Sequence, residues 1–165
     1  SGAYQITLAC ESGVQRVLDE IINKRLPVET IMPAIERAKK AGLLVHTFWI
    51  LGFPGETREE MQKTIDFALQ CGADSFSFSV LAALPGTPIY RQACKENLWW
   101  EGRESFNSLR SSLLKVDGFD DPQSFEKFVY DANIKANLIL KEKDPARFTY
   151  KYGKNVTEKT LMKQT

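Results

Sequence analysis

The strongest constraint in this sequence is a unit that occurs three times: a short β-rich run, a glycine-bearing loop, then a helical pattern. Residues 4–11 (YQITLACE), 43–51 (LLVHTFWIL) and 75–82 (SFSFSVLA) are the β-rich runs. Each is dense in β-branched or aromatic residues and bounded by Gly or Pro, which predicts strands. The helical patterns between them are well punctuated. Ser12 and Gln15 read as a capping box opening a helix to about Asn23. A second helix, 30–41, carries Ile31, Ile35 and Ala38 on one face and stops at Gly42. Thr57 and Glu60 cap a third, with Met61, Ile65 and Ala68 inward and Gly72 at its end. Thr87 followed by Pro88 starts a fourth, to about Asn97. Strand alternating with helix dictates parallel pairing and right-handed crossovers, the build of either a (β/α) barrel segment or a doubly wound sheet.

The repeat stops at Trp99 and Trp100. A polar linker, 99–121, leads to a long amphipathic helix at about 122–142, capped by Asp121 with Pro122 in its first turn. Phe125, Phe128, Val129, Ala132, Ala136 and Ile139 form its apolar stripe, which predicts packing on the rest of the core. A short helix or turn near Pro145 and a loose polar tail complete the expectation. The division is therefore 1–98 for the βα part, 99–121 for the linker and 122–165 for a helical extension.

The chain has 165 residues, enough for one domain with a real core. Its 22 basic and 21 acidic residues leave a net charge of +1, which gives no clear nucleic-acid signal. No apolar run approaches the roughly 20 residues of a membrane span. The start, SGAYQITL, has neither a Met nor the basic and apolar segments of a signal peptide, and reads as a piece of a longer protein. Cys10, Cys71 and Cys94 are too far apart for a metal or cluster motif. An odd count without a signal predicts buried free thiols and a reducing, cytoplasmic setting.

The strands do not read as continuous apolar runs. Ser75, Ser77 and Ser79 alternate with Phe76, Phe78 and Val80, and Gln5, Thr7, Ala9 and Glu11 share one face of the first strand. The only histidine, His46, falls with Leu44, Phe48 and Ile50, and reads as a hydrogen-bonded structural residue. Helices claim the apolar faces, so the polar ones face solvent or a ligand cavity.

Ligands in α/β folds bind at the carboxyl ends of parallel strands. Here those ends are Glu11-Ser12-Gly13, Gly52-Phe53-Pro54-Gly55-Glu56-Thr57 and Leu84-Pro85-Gly86-Thr87-Pro88. Each joins glycine, a polar group and a helix N-terminus, a pattern that suits a ligand with a carboxylate and hydroxyls. Ser12 and Thr87 are equally explained as caps, and the glycines as turns. There is no G-x-S-x-G elbow, H-E-x-x-H or Walker loop, and no strand ends in a Schiff-base lysine. The chain offers no metal site of its own.

CESGVQRVLDEIINK, AIERAKKAGLLVHTFWILGFPGET and SVLAALPGTPIY together resemble the second half of a radical SAM domain, over about residues 4–98. The most similar branch is one often found with a cobalamin-binding domain. The resemblance implies strands four to six of a partial (β/α) barrel. It also implies a parent enzyme, of oxidoreductase or methyltransferase type, that uses S-adenosylmethionine and a [4Fe-4S] cluster to generate a 5′-deoxyadenosyl radical, with cobalamin as a further cofactor. Glu11, Ser12 and Gly13 would lie by the methionine or ribose of the cofactor. Ile50 and the backbone of Gly52, Phe53, Pro54 and Gly55 would flank the adenine, with Glu56 shaping that loop. Leu84, Pro85, Gly86 and Thr87 would complete the adenine side. The family's Cys-x3-Cys-x2-Cys loop does not occur here, so the chain alone is expected to be inactive. The alternatives are a non-catalytic βα structural or oligomerisation module, or a fragment of a phosphate-binding barrel enzyme. A missing half would leave the first strand's edge unpaired, which predicts self-association.

Overall fold

A computed structural model describes residues 2–103 and 110–152, with side chains described to Phe148. Three parallel strands, β1 (Gln5–Glu11), β2 (Leu44–Leu51) and β3 (Ser75–Val80), form one sheet in the order β1-β2-β3. Helices α1 (Ile31–Lys40), α2 (Arg58–Gln70), α3 (Pro88–Glu96), α4 (Pro122–Lys143) and α5 (Pro145–Tyr152) surround it. The result is the α/β, partial barrel-like fold expected from the repeated unit.

Alternation decides which face meets the helices. Val45, Trp49 and Leu51 of β2 and Phe76, Phe78 and Val80 of β3 are buried with Ile31 and Ile35 of α1, Met61, Ile65 and Ala68 of α2, and Phe125, Val129, Ala132 and Ala136 of α4. Thr47 lies on that apolar face too, and its hydroxyl accepts the Trp49 indole N–H at 3.0 Å. The register puts Gln5 beside Leu44, Thr7 beside His46 and Ala9 beside Phe48, with Ser75, Ser77 and Ser79 beside His46, Phe48 and Ile50. Although Ser75 and Ser79 are buried and Ser77 alone of the three serines is half-buried, these residues share one face up to Ala9. There a bulge shifts the register and Glu11 pairs with Trp49 instead, its backbone left-handed at φ 67°. A bulge breaks the period of two, so Glu11 leaves the face of Gln5, Thr7 and Ala9.

The caps of α2, α3 and α4 are where the sequence puts them. Thr57 and Glu60 form a reciprocal capping box, and Thr87 and Asp121 accept from Tyr90 and Ser124. Gly42 and Gly72 follow α1 and α2 with φ of 80° and 85°. The first helix differs. Ser12 and Gln15 make no capping box, and the segment is a π-helix at Val17–Ile22. Gln15 instead accepts from Val28 N–H and donates to Asp19 and the Leu26 carbonyl, binding the following loop. The segment read as a linker also enters the core. Trp99 bridges Leu114, and Leu113, Leu114 and Val116 are buried.

Helix α4 packs along β3, and Asn133 bonds to that strand's outer edge at Phe78. Its side-chain carbonyl accepts Phe78 N–H at 3.0 Å and its amide donates to Phe78 C=O at 2.8 Å. One side chain thus supplies both bonds that a neighbouring strand residue would supply. Among the described residues no helix is long and apolar enough to cross a membrane. Cys10 and Cys71 are buried as expected, whereas Cys94, on the outer side of α3, is exposed.

Candidate functional site

Parallel strands put their carboxyl ends on one rim, and side-chain bonds knit the first two loops of that rim together. Ser12 is fully buried, its hydroxyl 3.0 Å from that of Thr64 on α2, and it accepts Val14 N–H at 3.1 Å. Gly13 N–H donates to the same Thr64 oxygen at 3.1 Å. A β-carbon at Gly13 would lie 2.9 Å from Phe67 Cβ, so only glycine lets the loop sit this close to α2. Arg16 then reaches across to the second loop. It grips Glu60 through two nitrogens, at 2.7 and 2.6 Å, and donates to Gly55 C=O at 2.9 Å. A bidentate pair of this kind fixes geometry as well as charge. The guanidinium holds the Glu60 carboxyl well below its ordinary range, at about 2.

The second loop is organised from within by Glu56. Its side chain is fully buried and one oxygen, Oε2, accepts both Gly52 N–H (2.9 Å) and Phe53 N–H (3.1 Å). The other oxygen, Oε1, is buried without a partner. Burial pushes this carboxyl up to about 7, against the pull of the two amides. Gly52 needs to be glycine twice over. Its φ is 89°, and a β-carbon there would lie 2.6 Å from the ring of Phe125 on α4. Phe53 is buried in a cluster with Val17, Leu81 and Ala83, against which Ile50 packs. Pro54 is half-buried and Gly55 exposed.

Glu11 stands at the start of this rim. Lys24 pairs with its Oε1 at 3.0 Å and also donates to the Ala9 carbonyl, while Oε2 is buried with no partner. The third loop is more open. Leu84, Pro85 and Gly86 are exposed; Thr87 is half-buried, donating to Leu84 C=O at 2.7 Å and capping α3. Arg91 holds Gly86 C=O at 2.7 Å.

The rim therefore brings the Glu11–Gly13 and Gly52–Glu56 loops into bonded contact, and apolar packing joins the end of β3 to Phe53. Sequence reasoning missed Arg16, Lys24 and Thr64: Arg16 and Thr64 lie on helical segments and Lys24 in the loop after the π-helix, none with a motif of its own. Glu60 was visible only as a cap.

Residues 2–68 match the family model for the radical SAM superfamily. The chain belongs to that superfamily. It is 42% identical over 141 residues to cytidylyl-2-hydroxyethylphosphonate methyltransferase of Streptomyces wedmorensis, covering 81% of this chain and 26% of that protein. Similarity to an uncharacterized methyltransferase of Pyrococcus horikoshii is 36% over 97 residues, 59% of this chain and 21% of the relative. A tRNA-2-methylthio-N(6)-dimethylallyladenosine synthase of Lachnoclostridium phytofermentans matches at 26% over 140 residues, 82% and 30%. The chain thus spans between a fifth and a third of the length of these relatives. A 141-residue match necessarily runs past residue 98, so the likeness to the Streptomyces protein includes part of the C-terminal helical region.

Fit to the superfamily's cofactors divides cleanly. The orphaned Glu11 oxygen is an acceptor at the rim, suited to an amino or hydroxyl group of S-adenosylmethionine. An iron–sulfur cluster finds no such reception. Among the described residues no group of three or more His, Cys, Asp or Glu could hold a metal. Burial pushes the Cys10 thiol up to about 12 and the Cys71 thiol upward as well, the reverse of what a thiolate ligand requires.

Proposed function

We propose that this chain is the carboxyl-terminal part of a radical SAM barrel whose parent enzyme methylates a small substrate bearing a phosphonate or phosphate group. The observation that carries the reading is Glu11: a non-glycine residue in the left-handed region, at a bulge, with a buried carboxylate oxygen left for a ligand. Backbone strain of this kind concentrates at functional sites. The higher identity to the phosphonate methyltransferase than to the tRNA-modifying enzyme favours the small substrate.

S-adenosylmethionine, together with a cluster held elsewhere in the parent, supplies the radical chemistry. This chain's own residues bind and orient. Glu11 accepts from the cofactor while Lys24 holds its other oxygen. Glu56 fixes the amides of Gly52 and Phe53, which sets the wall that Ile50, Phe53 and Pro54 offer to the adenine. Arg16 ties that wall to the loop of Ser12 and Gly13, and Leu84 to Thr87 form the remaining side. Cobalamin belongs to the same proposal through the branch resemblance, with no described residue assigned to it. The open β1 edge takes the preceding strand of the parent, and in the isolated chain it pairs with a second copy.

The test is formation of 5′-deoxyadenosine by the anaerobically reconstituted parent with S-adenosylmethionine and a reductant. Glu11→Ala is expected to weaken S-adenosylmethionine binding about tenfold or more, the worth of a hydrogen bond to a charged group. Absence of 5′-deoxyadenosine, or a natural upstream sequence without three suitably spaced cysteines, overturns the reading. Calorimetry on the 165-residue chain should show weak binding or none. A micromolar affinity, about −8 kcal/mol, contradicts the view that half the site lies elsewhere.

A further inference from the structure

The polar sheet face carries a line of bonded side chains that none of the cofactor-facing loops uses. Arg147 of α5 comes under the amino ends of the strands. One nitrogen, Nη2, donates to Gln5 Oε1 at 2.6 Å and to Ser75 Oγ at 3.1 Å. Ser75 Oγ is 2.8 Å from His46 Nδ1, and His46 Nε2 is 2.8 Å from Ser77 Oγ. Gln5 and Ser75 are the first residues of β1 and β3, so the line climbs from the floor of the sheet toward the rim.

A guanidinium only donates. The Ser75 oxygen accepts from it, and a hydroxyl proton turned away from the positive charge would point toward His46 Nδ1. In that arrangement Nδ1 accepts and Nε2–H donates to Ser77 Oγ. Ser77 would then accept through its oxygen and have its own O–H to give. It is only half-buried, on the same face as Phe48 and Ala9. We infer that Arg147 is a positioning residue: through Ser75 and His46 it sets Ser77 as a hydrogen-bond donor aimed into the barrel interior, where it selects a substrate by an acceptor oxygen. The ligand class is an oxygen-rich, acceptor-bearing substrate such as a phosphonate ester. The inference rests on the proposed function for its ligand, but not for the hydrogen-bond direction.

Because the chain has one histidine, nitrogen-15 spectra of the uniformly labelled 165-residue chain report the His46 tautomer without ambiguity. The expected result is a protonated Nε2 and an unprotonated Nδ1. Arg147→Gln should raise the Nδ1–H form about fivefold, the equilibrium worth of one ordinary hydrogen bond. Ser75→Ala is a second route to the same shift. An Nδ1–H ring in the unmodified chain, or a tautomer ratio indifferent to Arg147→Gln and Ser75→Ala, overturns the inference. The ligand arm uses the reconstituted parent with cytidylyl-2-hydroxyethylphosphonate as probe. Ser77→Ala should raise KM about 3- to 10-fold, with the effect concentrated in KM. An unchanged KM overturns the role of Ser77. If the unmodified parent forms no 5′-deoxyadenosine, the proposed function fails instead, and the tautomer spectra alone decide the direction of the chain.

Discussion

The two edges of this sheet are opposites. On the β3 side, a helix from the same chain lies along the strand and one amide side chain completes its hydrogen bonding at Phe78. On the β1 side no strand or helix of the described chain takes that place, and Tyr4 and Ile6 are 75% and 36% exposed. An edge of unpaired N–H and C=O groups is a template for another strand. The difference teaches that the two edges are treated by different means: β3 is met at Phe78 by a side chain from fifty-five residues away, whereas no described strand lies beside the outer edge of β1.

Substitutions can break or sharpen this contrast. The largest effect is expected at Phe125, which anchors α4 against the sheet. Phe125→Ala should cost about 3–5 kcal/mol in urea unfolding, as large buried aromatics do. An effect under about 1 kcal/mol would mean that α4 is not what closes the β3 side.

Next comes the loop after the central strand. The Glu56 carboxyl rises from 4.5 to about 7 on folding. The folded state therefore holds a proton that the unfolded chain releases between these values. Stability contributed by the neutral acid is full below about pH 4.5 and is lost as pH rises through about 7, a change on the order of 3 kcal/mol. Glu56→Gln should flatten this slope; an unchanged slope assigns the pH dependence elsewhere. Glu60 has the opposite sign, since its depressed carboxyl withdraws stability as pH falls from 4.5 toward about 2.

Asn133→Leu isolates the edge bonds from the packing of α4. It leaves Phe78 N–H and C=O unpaired and should cost about 1–2 kcal/mol, with faster hydrogen exchange at Phe78. Unaltered exchange there would show that packing alone protects the strand. The smallest effect on stability is expected at the other edge. Ile6→Lys should stay within about 0.5 kcal/mol yet reduce self-association in sedimentation, because a charged edge resists pairing. A chain that is monomeric before the substitution removes the basis for that contrast.

Much of this architecture was legible in the sequence because its signals are local. Thr57 with Glu60, Thr87 with Pro88, Asp121 with Pro122, and the alternation of β3 all act within a few residues, and all appear as read. What failed was also local in appearance but decided at long range. Ser12 looks like a cap, yet Thr64, fifty-two residues later, captures its hydroxyl. Glu11 looks like the next residue of an alternating face, but a bulge turns it out. The rim loops were visible as glycine-rich strand ends. Glu56 was expected to shape its loop, but the fastening by Arg16 and Lys24 was not legible, since a charged side chain gives no sign of which distant carbonyl or carboxylate it will meet. Asn133 likewise reads as an ordinary helical polar residue until β3 lies beside it.

Asn133 has a consequence for how such chains can be rearranged. A strand that is completed by a side chain of the same polypeptide carries its own full stop. Strand β3 and helix α4 therefore travel together: a graft that carries one without the other leaves the Phe78 N–H and C=O without this partner.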